Sequence, residues 1–122
     1  MVRASLFISS NLAISLSLLG KRVIIVGLDI RKPGLNKIFN IPRKEQGITQ
    51  YLSNPEKNLM DFVQPSDVSK NLYILPGGIV PPNPTELLAR DGLDKAIETL
   101  KKNFDYVILD TAPAGMVTDT CL

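Results

Sequence analysis

Two aspartates stand where apolar, strand-like runs end, and both are suited to holding a metal ion. Asp29 follows the run VIIVG in the segment VIIVGLDIRKP (Val23–Pro33), and Asp110 closes the run YVILD (Tyr106–Asp110). Open α/β sheets bind their ligands at the carboxyl ends of parallel strands. Two strands that each deliver a carboxylate to that edge predict a magnesium–phosphate site.

Either aspartate alone would be ambiguous. Asp110 begins Asp-Thr-Ala-Pro, which is also good turn chemistry, and aspartate at the end of a strand is common. The pair of strands in one short chain favours a site. Arg31 and Lys32 next to Asp29 could neutralise phosphate, or could simply lie in a solvated loop.

Strands alternate with helical segments along the chain, which predicts an α/β fold with a mostly parallel sheet flanked by helices. The strands are Val23 to the Asp29 region, Leu72–Leu75 and Tyr106–Asp110. The helical segments are predicted at Leu6–Leu19, Leu35–Phe39, Ile48–Leu52, Asn58–Val63, Thr85–Leu88 and Gly92–Lys102.

The first helical segment has two interpretations. Met1-Val2-Arg3 followed by an apolar run resembles a secretory signal. Serines interrupt that run, however, and Leu12, Ala13, Leu16 and Leu19 recur at helical spacing, which favours an amphipathic core helix. The run is also too short and too polar to span a bilayer.

Composition limits the remaining function classes. The 122 residues form one domain at most, and the net charge of +2 is too small and scattered to indicate nucleic acid binding. One cysteine and no histidine leave almost no ligand set for zinc and fit a reducing compartment.

Three segments together resemble the bacterial tyrosine kinases of capsular and exopolysaccharide synthesis. They are VIIVGLDIRKP, ILPGGIVPPNPTELL (Ile74–Leu88) and FDYVILDTAPAGMVTD (Phe104–Asp119), and the resemblance runs in register from about Phe7 to Asp119. The middle segment is the most specific, because related partition and septum-site ATPases are not expected to carry PPNPTELL.

The resemblance implies an incomplete P-loop NTPase domain over residues 1–122, covering the part from the helix after the phosphate loop to the Walker B strand. Asp29 matches the second aspartate of the Walker A-prime motif, a catalytic, nucleotide-binding and magnesium-binding position. Asp110 matches the Walker B aspartate, a nucleotide and magnesium position, and Arg31 would contact nucleotide. Gly27 stands where many members have the first Walker A-prime aspartate, and Asn11 matches an asparagine of the first helix.

The same resemblance implies ATP and Mg²⁺ as cofactors and a protein tyrosine tail as substrate. It also implies partnership with further copies of the chain and with a membrane-spanning chain-length or adaptor protein, at the cytoplasmic face of the plasma membrane. No membrane span is recognisable in the sequence, and no nucleic acid partner is expected.

The segment before Phe7 departs from the family pattern. Val2-Arg3-Ala4-Ser5-Leu6 stands where Gly-x-Gly-Lys-Ser/Thr is expected, so the amides and lysine that cradle phosphates are missing. The strand before the loop is also expected to be absent, which would leave unpaired strand edges. We therefore expect negligible kinase activity from this chain.

Two alternatives to a kinase remain. One is a non-catalytic docking module, and the other is a partition-type ATPase switch.

The departure before Phe7 has a possible genetic origin, since suitable codons for Val-Arg-Ala-Ser-Leu-Phe spell Gly-Glu-Gly-Lys-Ser-Phe in a shifted frame. One extra T in a run of T would restore the frame at Phe7.

Overall fold

A computed structural model describes residues 2–4, 6–29, 34–89 and 91–111, with their side chains from Ile8 onward. Its centre is a five-stranded sheet with the spatial order β1-β5-β2-β4-β3. The strands are β1 (Val2–Ala4), β2 (Val23–Gly27), β3 (Gln64–Pro65), β4 (Leu72–Leu75) and β5 (Tyr106–Asp110).

Helices cover both faces of the sheet. They are α1 (Leu6–Leu18), α2 (Leu35–Ile38), α3 (Ile48–Ser53), a 3-10 helix (Leu59–Phe62), α4 (Pro84–Leu88) and α5 (Asp91–Asn103). Because side chains alternate along a strand, β2 contributes to two cores. Ile24 and Val26 pack in the cluster with α3, α4 and α5, whereas Val23 and Ile25 pack in the cluster with α1 and α2.

The predicted α/β fold with a mostly parallel sheet is confirmed. Strands β1, β5, β2 and β4 run parallel, and β2 is buried at all five positions, as a central strand covered on both faces should be. The sequence prediction missed β3, which pairs antiparallel with β4. Its two residues are too few to produce an alternating pattern.

Helix α1 packs on the sheet as a core helix, but the predicted leucine stripe is only partly correct. Ala13 is fully buried against β2 and β5, whereas Leu19 is 77% exposed. Buried serines instead extend the face around Ala13, at Ser9, Ser10 and Ser17. Small side chains allow a helix to approach a sheet closely, and the Ser17 hydroxyl satisfies itself by donating to the carbonyl of Ile14 at 2.8 Å. In the described parts of the chain, no helix is long and apolar enough to cross a membrane.

The expected absence of a strand before the first helix is wrong. Val2–Ala4 forms β1, which pairs in parallel with Ile108–Asp110 of β5. The edge of β5 that was expected to be unpaired is therefore covered over these three residues. Extended backbone beside β5 can satisfy amides and carbonyls that would otherwise lack partners.

Candidate functional site

The carboxyl edge of the sheet brings Asp29 and Asp110 together, as the sequence predicts. Gly27, the last residue of β2, lies in register with Asp110, the last residue of β5. The amide of Leu28 donates to the Asp110 carbonyl at 2.9 Å, so the chain leaves β2 alongside the end of β5. Asp29 follows at once and is half-buried.

Asp110 is a buried carboxyl group without a full set of partners. Its residue is 2% exposed, and its Oδ1 atom has no hydrogen-bond partner. Burial, and to a lesser extent the negative charge of Asp29, raises the pKa of Asp110 to about 6. Ionising such a buried carboxyl group costs free energy unless a cation binds next to it.

This arrangement fits a magnesium ion. Mg²⁺ is held in proteins by one or two carboxylates, with water and substrate phosphates completing its shell. The unpartnered Oδ1 of Asp110 and the neighbouring Asp29 supply such a pair. In the described part of the chain, no cluster of three or more acidic, histidine or cysteine residues offers a richer site.

The raised pKa predicts a pH dependence of stability. The folded state holds the Asp110 proton more tightly than the unfolded state, in which the pKa is about 4. The free energy of unfolding should therefore fall as the pH rises from about 4 through about 6, by roughly 3 kcal/mol in total. Urea denaturation between pH 4.5 and 8 in EDTA would measure the fall, and Asp110→Asn should remove it. Equal slopes in the two proteins would contradict this origin.

Neighbouring atoms approach Gly27 so closely that they leave little room for a side chain at this position. A Cβ atom there would lie 3.1 Å from both the Gly77 backbone nitrogen and the Cδ1 atom of Leu35. The family resemblance placed an aspartate at this position in many members. In this chain, the segment after β4 occupies the space that such a side chain would need.

The structure describes some of the other predicted positions and leaves others outside its described residues. Asn11 is exposed on α1. Arg31 and Lys32 lie outside the described residues, so their predicted roles stay predictions. Between β1 and α1 there is only one residue, Ser5, where the family pattern has its glycine-lysine loop.

The sequence analysis missed one group beside the site, at the start of α3. Gly47, Thr49 and Gln50 bond or abut the backbone of the segment that follows β4. The sequence signal for this group was a glycine directly before a predicted helix, and that pattern does not show which distant segment the helix contacts.

Comparison with known proteins gives matches along nearly the whole chain. A family model described as an AAA domain matches residues 7–122. The tyrosine-protein kinase CpsD of Streptococcus agalactiae is 37% identical over 114 residues, which cover 93% of this chain and 49% of that protein. The chain thus spans about half the length of this curated relative.

Two solved structures show the same fold. The kinase domain of the Escherichia coli tyrosine kinase ETK superposes with a TM-score of 0.81 at 30% identity, covering 92% of this chain and 43% of that one. The septum site-determining protein MinD of Pyrococcus horikoshii, solved with Mg-ADP, has a TM-score of 0.71 at 24% identity, covering 89% and 43%.

Proposed function

Since the chain belongs to the AAA domain family, we propose that it carries the magnesium-binding part of a protein tyrosine kinase catalytic domain. The whole protein would transfer phosphate from ATP to protein tyrosines during capsular or exopolysaccharide synthesis. The observation that carries this proposal is the buried carboxyl group of Asp110, whose Oδ1 atom has no hydrogen-bond partner, beside Asp29 at the carboxyl edge of the sheet. The similarity to tyrosine kinases of capsule synthesis supports it.

Each aspartate would have a distinct role. Asp110 lies at the end of β5 and would hold Mg²⁺ directly or through water. Asp29 lies just beyond β2, where it could hold the same ion or accept the proton of the attacking tyrosine hydroxyl. A bound Mg²⁺ supplies positive charge that offsets charge on the transferred phosphate.

The partners of the whole protein follow the family. We propose a neighbouring subunit that presents tyrosines and a membrane-spanning adaptor that holds the domain at the inner face of the plasma membrane. Both aspartates of the proposed metal site belong to this chain, so the site can be tested on it.

The test is magnesium-dependent binding of ADP. With Mn²⁺ as the paramagnetic probe and ADP present, the amide signals of Leu28 and Asp110 should broaden before those of exposed loops. Asp110→Asn should weaken this metal-dependent binding about tenfold, because one charged ligand is lost. Asp67→Asn, which changes an exposed carboxylate in a loop, is the matched control. Equal binding by both variants would exclude Asp110 as a ligand.

A second candidate function is a docking module without catalysis. The residues Val2–Leu6, which contain neither glycine nor lysine, favour it. Such a module would show no metal-dependent nucleotide binding, yet would still bind the full kinase or its adaptor. A partition-type switch is less well supported, because the MinD likeness shows the fold alone; it would require ATP-driven dimerisation.

A further inference from the structure

The N-terminus of α3 bonds the backbone of the segment Pro76–Ile79, here named the glycine loop. The amides of Ile48 and Thr49 donate to the carbonyls of Pro76 and Gly77 at 2.8 and 3.1 Å. The glycine loop thus continues the chain of β4 while its carbonyls satisfy amides at the start of α3, which have no partner within the helix.

Thr49 is the centre of this contact. Its residue is 1% exposed, and its hydroxyl oxygen lies 2.8 Å from the Gly77 carbonyl and 2.9 Å from the Ile79 carbonyl. The Oε1 atom of Gln50 is a third acceptor at 3.1 Å. A hydroxyl has only one proton to donate, so these acceptors share it. The Thr49 hydroxyl therefore lies between the carbonyls of Gly77 and Ile79 and can bond either of them with its single proton.

Gln50 and two glycines complete the contact. The Gln50 Oε1 atom accepts from the Gly47 amide at 2.9 Å, which fixes the first turn of α3. Gly78 has a φ of +85°, and a Cβ atom there would overlap the Gln50 side chain and lie 2.9 Å from the Thr49 hydroxyl. Only glycine combines that backbone conformation with so close an approach.

The glycine loop also approaches Gly27, which lies at the candidate site. The Gly77 backbone nitrogen lies so near Gly27 that a Cβ atom on Gly27 would be only 3.1 Å from it. Gly27 is in register with Asp110 and is separated from Asp29 by one residue. The loop therefore forms a wall of the edge that carries both aspartates.

We propose that Thr49 is a positioning residue: its hydroxyl holds the glycine loop against Gly27 and thereby shapes the site at Asp29 and Asp110. The part of this inference that concerns ligand binding rests on the proposed magnesium–nucleotide function. In this proposal Thr49 acts through the loop to which its hydroxyl bonds, and not as a ligand of metal or nucleotide.

The test compares Thr49→Val, which keeps the shape but removes the hydroxyl, with Thr49→Ser, which keeps the hydroxyl. In Thr49→Val, hydrogen exchange at the amides of Ile48 and residue 49, which donate to the Pro76 and Gly77 carbonyls, should accelerate about tenfold without nucleotide, while the amides of β5 stay unchanged. Magnesium-dependent ADP affinity should fall about fivefold, and Thr49→Ser should restore both values. Thr99→Val, which removes an exposed hydroxyl bonded within α5, is the control.

The outcomes separate the two levels of the proposal. Unchanged exchange at the amides of Ile48 and residue 49 in folded Thr49→Val would overturn the role of the hydroxyl. A loosened loop with unchanged ADP affinity would overturn the positioning role alone. Absence of ADP binding in the unsubstituted chain would overturn the proposed function and the ligand-binding part of this inference, while the exchange data still decide the rest. If Thr49→Val does not fold, the half-buried Gln50→Met should accelerate exchange at the same amides, and unchanged rates there would overturn the contact.

Discussion

Replacing residues 1–6 with a strand and a glycine-lysine loop of the family pattern is expected to raise Mg-ATP affinity about 1000-fold. Residues 2–6 read VRASL, and α1 begins at Leu6 with only Ser5 separating it from β1. The connection between β1 and α1 is therefore too short to surround the phosphates of a nucleotide, and it contains no lysine. Two or three charge-assisted hydrogen bonds of about 1.5–3 kcal/mol each would account for the gain.

Calorimetric titration with Mg-ATP would measure this gain in the chimera, in which residues 7–122 are unchanged. The matched control is the same chimera with the loop lysine replaced by alanine, which should lose most of the gain. Asp110→Asn in the chimera should also reduce it, since the ion would lose a ligand while the loop remains. A chimera that folds but binds ATP no better than the original chain would show that the rest of the site is not competent. The docking function would then be the better interpretation.

The second large effect is expected at Gly47, where Gly47→Ala should lower the free energy of unfolding by about 3 kcal/mol. A Cβ atom on Gly47 would overlap the Pro76 carbonyl oxygen, and it would lie 2.5 Å from the Gly78 nitrogen and 2.7 Å from the Gly77 carbonyl carbon. All three are backbone atoms of the glycine loop, which cannot turn aside as a side chain could. The backbone of Gly47 is extended, with a φ of −145°, so the cost comes from space and not from conformation.

Gly20→Ala is the control for this prediction. Gly20 has a φ of +89°, but a Cβ atom there would meet nothing within 4 Å. Its substitution should cost only the backbone strain of about 1 kcal/mol. For a chain of this size, the melting temperature should fall by roughly 12–20 °C in Gly47→Ala and about 5 °C in Gly20→Ala. Similar decreases in the two variants would contradict the crowding at Gly47.

Much of the fold could be predicted from local patterns. The four-residue and five-residue apolar runs at Leu72–Leu75 and Tyr106–Asp110 are strands with the predicted bounds, and α5 differs from its prediction by one residue at each end. Buried parallel strands are continuous apolar runs, and α5 carries a clear helical period, so both signals are contained in neighbouring residues. The meeting of Asp29 and Asp110 followed from one further rule, that parallel strands end at the same edge of a sheet.

Other features depend on residues far apart in the sequence, and only the tertiary structure decided them. Three residues at Val2–Ala4 carry too little pattern to indicate a strand, and they form one because β5 offers its edge. Ser9, Ser10 and Ser17 of α1 are polar by type, yet they are buried because their face of the helix approaches the sheet. In both cases the environment outweighs local propensity.

The candidate site also combines features that the local sequence predicts with features that only the tertiary structure shows. The sequence by itself determined which carboxylates lie at the carboxyl edge, because their places at the ends of strands are local facts. The tertiary structure decided that Asp110 lacks a partner for Oδ1, that Gly27 faces Gly77, and that Thr49 holds the glycine loop. Burial and close approach are properties of pairs of residues brought together by folding, here separated by 28 positions for Thr49 and Gly77, and no local pattern encodes them.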